Sequence, residues 1–426
     1  MPAKHIGRRM KSGGRPGVFV VDVTNRDGAQ SARIILPKLS KTILNLFLSR
    51  MGIFQSEIGF PTLKHEVGYI NANLALARKG VFDRMLLQGW CRAVPEDIDR
   101  AFHNCPGLQH IALSISTSEV MLRRKFSGKR KFDDICRLVQ ESISRARAHG
   151  AKSIIFGAED ASRTETQRLE TYILAGKEAG ADRFRYSDTL GLHDPLTAYE
   201  RIGRLAQDAE IPFEMHSHND LGLAEASSLA AAQGIIEAGL SAFINATVNG
   251  YGERAGNSDI ISLLLALKFS PVLKKRMHLA HKVDLGEAWN VARYASYAFS
   301  LPLPVNQPGV GANAFAHESG IHADGVLKDH RLYELYAPEE IGRGKPEMVE
   351  TGRSITTGEY GGIKGLRYAY RRLGIEFASD QEARDILEIV QYANMQTQKP
   401  LLDAELRFIA EHPAEARVIV GLSSVM

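Results

Sequence analysis

Eight short runs rich in β-branched and aromatic residues recur along the first part of this chain, and a segment long enough for a helix follows each run. The runs occupy residues 18–24, 54–59, 85–90, 110–116, 153–159, 183–189, 212–218 and 242–248. Parallel strands need a crossover connection, which is usually a helix. Eight strands that alternate with helices over about 250 residues are typical of a TIM (β/α)8 barrel, and the sequence therefore predicts this fold.

The alternative fold is an open, doubly wound sheet, which usually needs fewer repeats. No Gly-x-Gly-x-x-Gly motif follows the first run, as it would in a dinucleotide-binding sheet. The alternation stops near residue 270, where helices are predicted at 284–298 and 380–395 around a linker rich in proline and glycine. We therefore predict three parts, which are a flexible basic tail (1–16), a catalytic barrel (17–272) and a mostly helical C-terminal lid region (273–426).

The composition excludes several classes of partner. The formal net charge of +4 is modest, and the basic residues are not interleaved with aromatic ones as in nucleic-acid-binding proteins. No uninterrupted apolar segment reaches the ~20 residues of a membrane span. The three cysteines lack metal-ligand spacing and are too few for a disulfide framework. We expect a cytoplasmic protein that binds small anionic molecules, and neither nucleic acid nor membrane.

Two histidines on the seventh predicted strand indicate a metal site. His216 and His218 lie two residues apart, and side chains with this spacing on a strand point to one face. Two imidazoles are half of a metal site and need one or two oxygen ligands, which Asp27 after the first strand could supply. Taken alone, the pair could equally be a chance His-x-His on a surface strand.

Polar residues gather where the predicted strands end. Catalytic residues of TIM barrels lie at the carboxyl ends of the strands. These ends carry Arg26, Asp27, Gln30, Glu57, Gln88, Arg92, Glu159, Asp160, Asp188, Thr189, His216, His218 and Asn249. Any one of them could instead cap a helix or form an interlayer ion pair, but their coincidence at one mouth predicts an active site there.

A second polar segment lies far from the predicted barrel. Residues 316–325 are rich in histidine, unlike a packed helix, and are followed by Tyr333. The segment is either a surface loop or a lid that brings a histidine to the barrel mouth.

Four motifs occur together in this chain. They are Asp-x-Thr-x-Arg-Asp-Gly-x-Gln at 22–30, His-x-His-Asn-Asp at 216–220, Gly-Glu-Arg-Ala-Gly-Asn at 252–257 and His-Glu-Ser-Gly-Ile-His-x-Asp-Gly at 317–325. With them the chain resembles the metal-dependent enzymes that condense acetyl-CoA with a 2-oxo acid, namely the isopropylmalate, homocitrate and citramalate synthases. Further stretches at 90–93, 113–118, 158–163 and 185–191 are similar to the nitrogen-fixation type of homocitrate synthase.

The resemblance implies roles for individual residues. The metal, Mg²⁺ or Mn²⁺ and possibly Zn²⁺, would be held by Asp27, His216, His218 and Asn257. Arg26 would lie beside the substrate ketone, and the acid/base residues would be Glu159, His322 and Tyr333. The 2-oxo acid would be held by Gln30, Glu57 and Thr189. Glu214 would either orient His216 or pair with a buried cation in the barrel.

The resemblance also implies the reaction, with acetyl-CoA as co-substrate and a homodimer in which the lid reaches the partner barrel. Homocitrate synthesis from 2-oxoglutarate is the first expectation. However, lysine-pathway homocitrate synthases grip the distal carboxylate with a histidine on strand three and an arginine on strand five. Here Trp90, Cys91 and Ile155 stand there, which leaves Arg92 as the candidate cation.

Several other functions remain as alternatives. The sister reactions are citrate synthesis of opposite stereospecificity from oxaloacetate, isopropylmalate synthesis and citramalate synthesis. A metal-dependent lyase or aldolase shares the barrel and the metal motif, although the predicted lid favours condensation. Two histidines and a carboxylate also suit iron oxygenases, which the barrel and lid disfavour. An inactive barrel that serves only as a binding partner is the least favoured alternative, because every catalytic position holds a competent residue.

Overall fold

A computed structural model describes residues 15–83, 85–345 and 355–422, so most of the predicted tail (1–16) lies outside the described residues. Eight parallel strands close into one barrel in sequence order, with β1 hydrogen-bonded to β8. The strands are β1 Val18–Asp22, β2 Gln55–Gly59, β3 Leu86–Arg92, β4 His110–Ser116, β5 Ser153–Glu159, β6 Arg183–Asp188, β7 Phe213–Ser217 and β8 Ala242–Ala246. The predicted TIM barrel is confirmed.

Helices follow the strands and form the outer layer of the barrel. They are α1 Lys38–Met51, α2 Lys64–Arg78, α3 Pro95–Asn104, α4 Glu119–Arg124, α5 Phe132–Ala148, α6 Thr166–Glu178, α7 Pro195–Ala209, α8 Ala224–Glu237 and α9 Ile260–Phe269. Local sequence sets their ends. For example, the Asp194 side chain accepts hydrogen bonds from two backbone amides at the start of α7, and Gly52 ends α1 with φ of 85°.

The two faces of each strand have different partners. On β5, Ile154, Phe156 and Ala158 belong to the apolar core shared with the outer helices. By alternation, Ile155, Gly157 and Glu159 point to the inside of the barrel. A TIM-barrel interior is usually filled by branched apolar residues. Here the same inward positions carry buried polar and charged side chains, namely Gln55, Glu57, Gln88, Arg183, Arg185, Glu214 and Asn245.

The C-terminal region is helical, as predicted. Its helices are α10 Pro271–Arg276, α11 Ala288–Phe299, α12 Gly320–Lys328, α13 Ile363–Arg372, α14 Asp380–Thr397, α15 Asp403–Glu411 and α16 Pro413–Ile419. α16 packs against α2, and Tyr294 of α11 donates a hydrogen bond to Glu405 of α15 at 2.8 Å. In the described parts of the chain, no helix is long and apolar enough to cross a bilayer. The predicted division near residue 272 stays a prediction.

The histidine-rich segment differs from its expected form. Part of it is a helix, α12, which lies on the surface with Gly325 as its buried residue. The sequence did not indicate a packed helix because its polar and apolar residues do not separate into two faces. Ile321 and Leu327 are 74% and 87% exposed. The helix therefore presents apolar side chains to the outside.

Candidate active site

Three predicted metal ligands meet at the mouth of the barrel. Asp27 follows β1, and His216 and His218 project inward from β7 and the residue after it. The Nε2 atoms of the two histidines lie 3.8 and 4.0 Å from Oδ2 of Asp27. One ligand atom from each residue falls within 4.8 Å of the others, and all three residues are buried. This is a compact cluster of two nitrogens and one oxygen.

The electrostatics prepare these groups to bind a cation. Burial lowers the pKa of both His216 and His218, which keeps the imidazoles neutral. Nδ1 of His218 lies 3.2 Å from the carbonyl oxygen of Gly256, so Nδ1 carries the proton and Nε2 keeps its lone pair. Burial opposes ionisation of Asp27, but the charge of the Arg26 guanidinium outweighs it and holds the pKa of Asp27 well below the usual range.

Two buried oxygen atoms at this cluster have no hydrogen-bond partner, namely Oδ2 of Asp27 and Oδ1 of Asn257. Asn257 is fixed because its Nδ2 donates to the carbonyl of Tyr251 at 3.1 Å. Gly252 allows this approach, since a Cβ at that position would overlap the Asn257 amide. Unpartnered buried oxygens are costly unless something binds them. Two nitrogens and two oxygens therefore fit a divalent metal ion.

Arg26 is held beside this cluster by three groups. Its Nε donates to Glu57 at 2.7 Å, and its Nη1 lies 2.5 Å from Asp27. Its guanidinium stands 5.5 Å from the ring centroid of Trp90, which in turn packs edge-on against Phe60. A fixed cation next to a metal site can stabilise negative charge on a ligand oxygen.

A chain of alternating charges continues from Arg26 down the inside of the barrel. Glu57 also accepts from Arg185, and Glu214 lies 2.5 Å from Nε of both Arg183 and Arg185. Of the two roles considered for Glu214, the structure therefore shows the ion pair with buried cations. Sequence reasoning missed Arg183 and Arg185. Their spacing of two on a buried strand was the available signal, because it places both side chains on the inward face.

Glu159 lies across the barrel on β5 and already has partners. Nζ of Lys125 lies 2.6 and 2.8 Å from its two carboxylate oxygens, and Ser116 of β4 donates to the same group. Sequence reasoning missed Lys125, which follows α4. No local pattern marks it, because it reaches Glu159 through the turn of the chain after β4. The arrangement places an acid, a cation and a hydroxyl together at the mouth.

The three remaining predicted substrate contacts differ in availability. Oγ1 of Thr189 accepts from the backbone amide of Asp160 at 2.9 Å, which leaves the hydroxyl proton free to donate. Gln30 is exposed at the mouth. Arg92 instead forms two hydrogen bonds with Asp97, at 2.7 and 3.0 Å, and its side chain is 66% exposed. Arg92 is therefore engaged at the start of α3.

His322 and Tyr333 pair with each other in the lid. Their rings stack with centroids 4.2 Å apart, and Gly325 permits this because a Cβ there would overlap the Tyr333 ring. Both residues are exposed. Among the residues that the structure describes, no hydrogen bond, ion pair or ring contact joins them to the cluster of Asp27, His216 and His218. The structure thus brings Asp27, His216 and His218 together and leaves the predicted lid residues His322 and Tyr333 apart from them.

Comparisons with known families match almost the whole described chain. Residues 18–294 match the family described as HMGL-like, and residues 310–397 match the one described as homocitrate synthase post-HMGL domain-like. The first match covers the barrel and the cluster of Asp27, His216 and His218. The second covers the region that contains His322 and Tyr333.

Named relatives cover nearly the full chain. A protein named citrate (Re)-synthase from Dehalococcoides mccartyi is 51% identical over 96% of this chain and 99% of its own length. A 2-isopropylmalate synthase from Caldanaerobacter subterraneus is 34% identical, with coverages of 92% and 95%. A homocitrate synthase from a Nostoc species is 32% identical, with coverages of 91% and 96%.

Solved structures agree with the fold. A hydroxymethylglutaryl-CoA lyase from Pseudomonas aeruginosa superposes with a TM-score of 0.55 at 16% identity, over 74% of this chain and 98% of that one. An HMG-CoA lyase from Bacillus subtilis gives 0.54 at 16% identity, over 68% and 96%. At these identities the likeness concerns the barrel alone.

Proposed function

Because the chain belongs to the HMGL-like family, among its metal-dependent synthases that condense acetyl-CoA with a 2-oxo acid, we propose that its 2-oxo acid is oxaloacetate and its product citrate. The observation that carries this proposal is the gap in identity. The relative named citrate (Re)-synthase shares 51% of its residues, whereas those named 2-isopropylmalate and homocitrate synthase share 34% and 32%. Oxaloacetate, an alternative in the sequence analysis, is therefore better supported than 2-oxoglutarate, which was the first expectation there.

The surroundings of the site support a short substrate. Trp90 stands over Arg26 at the end of β3, and the inward position Ile155 of β5 is apolar. Arg92, the cation expected to hold a distant carboxylate, is already paired with Asp97. A longer diacid would have to bury its second carboxylate among apolar groups, which costs free energy without a paired cation.

Asp27, His216, His218 and Asn257 would hold the metal, which, when bound, polarises the ketone of the 2-oxo acid. Arg26 lies beside this cluster and stabilises the oxygen that gains negative charge as the new bond forms. Glu57 and Trp90 keep the guanidinium in place, so no reorganisation is needed when that charge develops.

The remaining steps are proton transfers and a hydrolysis. A base takes a proton from the methyl group of acetyl-CoA, and the resulting carbon attacks the ketone carbon to form one C–C bond. The ketone oxygen takes up a proton and becomes a hydroxyl, and water then cleaves the thioester to a carboxylate and the CoA thiol. Glu159, next to Lys125 and Ser116, and the pair His322 and Tyr333 supply the titratable groups for these transfers.

We further propose a homodimer in which each lid completes the partner's site. The lid residues Ile321, Leu327 and Leu335 are 74%, 87% and 67% exposed, and clustered exposed apolar residues mark interaction surfaces. His322 and Tyr333 have no contact with the metal cluster of their own chain within the described residues. A second barrel mouth is the partner that would both cover the apolar residues and use the two aromatic ones.

The metal and the compartment are also proposals. Two imidazoles suit borderline transition metals, whereas carboxylate and amide oxygens suit Mg²⁺ and Mn²⁺, so the mixed set favours Mn²⁺. The three cysteines are free thiols, with Cys91 and Cys105 buried. Free thiols are typical of the reducing cytoplasm.

The test of the function is the release of CoA thiol from acetyl-CoA with Mn²⁺ or Mg²⁺. It compares oxaloacetate, 2-oxoglutarate, 2-oxoisovalerate and pyruvate by kcat/KM, with His216→Ala as the inactive control. We expect oxaloacetate to give the highest value. Preference for 2-oxoglutarate would instead support the second candidate, homocitrate synthase, which the match of residues 310–397 to a homocitrate synthase domain favours.

The name of the first relative also predicts the stereochemistry. The test uses citrate made from acetyl-CoA with a labelled acetyl group, which becomes one of the two carboxymethyl arms of citrate. The citrate is cleaved with a lyase that releases, as acetate, the arm that ordinary citrate synthases add. If acetyl-CoA adds to the opposite face of the ketone, the label stays in oxaloacetate. Label in the released acetate would contradict the re-type assignment, and no thiol release with any of the four acids would contradict the synthase proposal itself.

A further inference from the structure

Gln88 lies inside the barrel, next to the groups that the proposed function places at the substrate. It stands on β3 two residues before Trp90, and residues with this spacing on a strand point to one face. Trp90 in turn stands 5.5 Å from the guanidinium of Arg26. On the neighbouring strand, Gln88 is paired in register with Glu57, which accepts a hydrogen bond from Arg26 at 2.7 Å. Gln88 is therefore one layer deeper in the barrel than Trp90 and beside the carboxylate that holds Arg26.

The side-chain amide of Gln88 has no hydrogen-bond partner. Among the residues that the structure describes, none bonds to its Nε2 or its Oε1, although Gln88 is fully buried. Gln55, a buried glutamine nearer the base of the barrel, differs because its Oε1 accepts from Arg183 at 2.7 Å. Burial of an amide without a partner costs free energy, and most buried polar groups in folded proteins are bonded. A ligand that accepts a hydrogen bond from Nε2 would remove this cost.

Small side chains of β4 lie between the mouth and Gln88. The apolar residues 111, 113 and 115 of this strand belong to the core shared with the outer helices, so Ala112 and Ser114 point inside the barrel. They are paired in register with the next two residues on the Gln88 face of β3, which lie nearer the mouth. Bulky branched residues usually fill such positions in a TIM barrel. Here the small residues leave the β4 side of Gln88 open to a short ligand that enters at the mouth.

The charges inside the barrel match a ligand that carries two negative charges. Three arginines and three carboxylates form a balanced set, namely Arg26, Arg183, Arg185, Asp27, Glu57 and Glu214. A divalent metal at the cluster adds two positive charges, which a dicarboxylate neutralises and a monocarboxylate neutralises only by half. An uncompensated charge is costly in a buried site, so a diacid is the better matched ligand.

We propose that Nε2 of Gln88 donates a hydrogen bond to the second carboxylate of the 2-oxo acid and so makes the site select dicarboxylic substrates. In oxaloacetate one methylene separates this carboxylate from the ketone carbon, which keeps it close to the ketone oxygen beside Arg26. A site that offers a buried donor rejects a substrate without the acceptor, because the amide then stays unpaired. This proposal rests on the proposed function, since it takes a 2-oxo acid to bind beside Arg26.

The test compares Gln88→Met with Gln55→Met, a matched substitution of a second buried glutamine. Gln88→Met keeps the approximate shape and removes both amide atoms, so kcat/KM for oxaloacetate should fall by about tenfold or more. The KM for acetyl-CoA should change less than about twofold, and the unfolding temperature should not fall, because the amide had no partner to lose. Gln55→Met should show the reverse, because it loses the bond from Arg183: a lower unfolding temperature and kcat/KM for oxaloacetate within about twofold of the wild type. The same kcat/KM for oxaloacetate in Gln88→Met and the wild type would overturn the proposal.

A second arm separates recognition of the carboxylate from a general effect on the site. Malate and lactate are stable 2-hydroxy acids that differ by the second carboxylate, and titration calorimetry with Mn²⁺ measures the affinity for each. The affinity for malate should fall by about tenfold in Gln88→Met, and further in Gln88→Glu, which replaces the donor by a like charge. The affinity for lactate should change less than about twofold in Gln88→Met. Equal losses for malate and lactate would overturn the proposal, because Gln88 would then shape the site as a whole.

The binding arm needs no turnover, so the role of Gln88 can be tested even if the proposed function fails. If no acid supports thiol release but Gln88→Met still weakens malate more than lactate, only the proposed reaction is lost. If the wild type prefers 2-oxoglutarate and Gln88→Met loses both diacids alike, only the choice of diacid is wrong.

Two results would overturn the role of Gln88 by themselves. The first is an affinity for malate that is the same in Gln88→Met and the wild type, which would mean that the amide binds water or nothing. The second is a wild type that binds malate no more tightly than lactate, because the site would then not select the second carboxylate.

Discussion

Glu57 accepts a hydrogen bond from Nε of Arg26 at 2.7 Å inside the barrel, and its other oxygen accepts from Arg185. Both oxygens of this fully buried carboxylate are therefore occupied by arginines. The sequence predicted that Glu57 holds the 2-oxo acid. Its position favours a different contribution, in which Glu57 fixes the guanidinium that meets the substrate.

Glu57→Gln should lower kcat by about a hundredfold, because Arg26 would lose the charged group that orients it. The affinity for oxaloacetate should change less, since the metal ligands are untouched. Steady-state assays measure kcat, and titrations with oxaloacetate measure its affinity. Glu405→Gln is the matched control, because Glu405 is also fully buried but lies in α15. Unchanged kcat in Glu57→Gln would show that Arg26 is oriented without it.

Metal binding should stabilise the folded protein. A ligand that binds only the folded state adds about 2.7 kcal/mol at a hundred times its Kd. We expect Mn²⁺ to raise the unfolding temperature of the EDTA-treated wild type. The His216→Ala variant should show no such rise, whereas His149→Ala, a histidine paired with Asp99 on the surface, should behave as the wild type. Calorimetric unfolding scans decide this, and a full response in His216→Ala would exclude the proposed ligand set.

Removal of Lys125 should affect turnover through Glu159. Lys125→Met deletes the cation that lies 2.6 Å from the Glu159 carboxylate, and we expect kcat/KM to fall by about ten- to a hundredfold. Lys79→Met removes a comparable lysine, which pairs with Glu415 between α2 and α16, and should leave kcat/KM unchanged. Similar losses of kcat/KM in both variants would mean that the substitutions act through stability and not through catalysis. Thermal unfolding of the two variants would reveal such a loss of stability.

The lid can be tested by mixing two inactive variants. His322→Ala should retain 2-oxo acid binding and lose turnover, and His216→Ala should lose the metal. If each lid serves the partner barrel, unfolding and refolding a 1:1 mixture should restore about a quarter of the wild-type activity, because half of the dimers are mixed and each has one complete site. No recovery in mixed dimers would mean that the lid closes over its own barrel.

Asp22 should make stability depend on pH. Burial raises the pKa of this carboxyl to about 6, despite hydrogen bonds from Ser56 and Thr24. A raised pKa means that the folded state holds the proton more tightly, so its stabilising effect is complete below pH 3.8 and is lost as pH rises to about 6. Relative to Asp22→Asn, the wild type should lose about 2 kcal/mol of unfolding free energy between pH 4 and 7.

Urea unfolding of both proteins at several pH values measures this difference. Asn cannot titrate, so the difference between the two proteins isolates Asp22. A constant difference across the range would show that the Asp22 carboxyl keeps an ordinary pKa. A difference that grows in the opposite direction would show that the carboxyl is ionised in the folded state and stabilised by its hydroxyl partners.

The strands could be predicted because their signal is local. The predicted runs 110–116 and 153–159 coincide with β4 and β5 at both ends, and the others differ by at most two residues at an end. The predicted runs extend past the ends of β7 and β8, to His218 and Val248. The residues there continue the sequence pattern of the strand, but they lie in the loops at the barrel mouth. Eight such runs separated by helices leave few folds available.

The cluster of Asp27, His216 and His218 could be predicted for a similar reason. His216 and His218 share a face by strand periodicity, and closure of the barrel brings Asp27, which follows β1, to them across β8. The charges inside the barrel could not be paired in this way. Arg185 and Glu57 are 128 residues apart, and only closure of the barrel places them in contact.

The sequence by itself determined the barrel, the order of its strands and the end at which the site lies, because these follow from periodicity and connection length. Only the tertiary structure decided which partners each charged group has. It paired Arg92 with Asp97 and Lys125 with Glu159, and it left His322 and Tyr333 exposed and stacked on each other. The physical reason is that an ion pair depends on distances of a few ångströms between groups far apart in the chain, and periodicity carries no information about them.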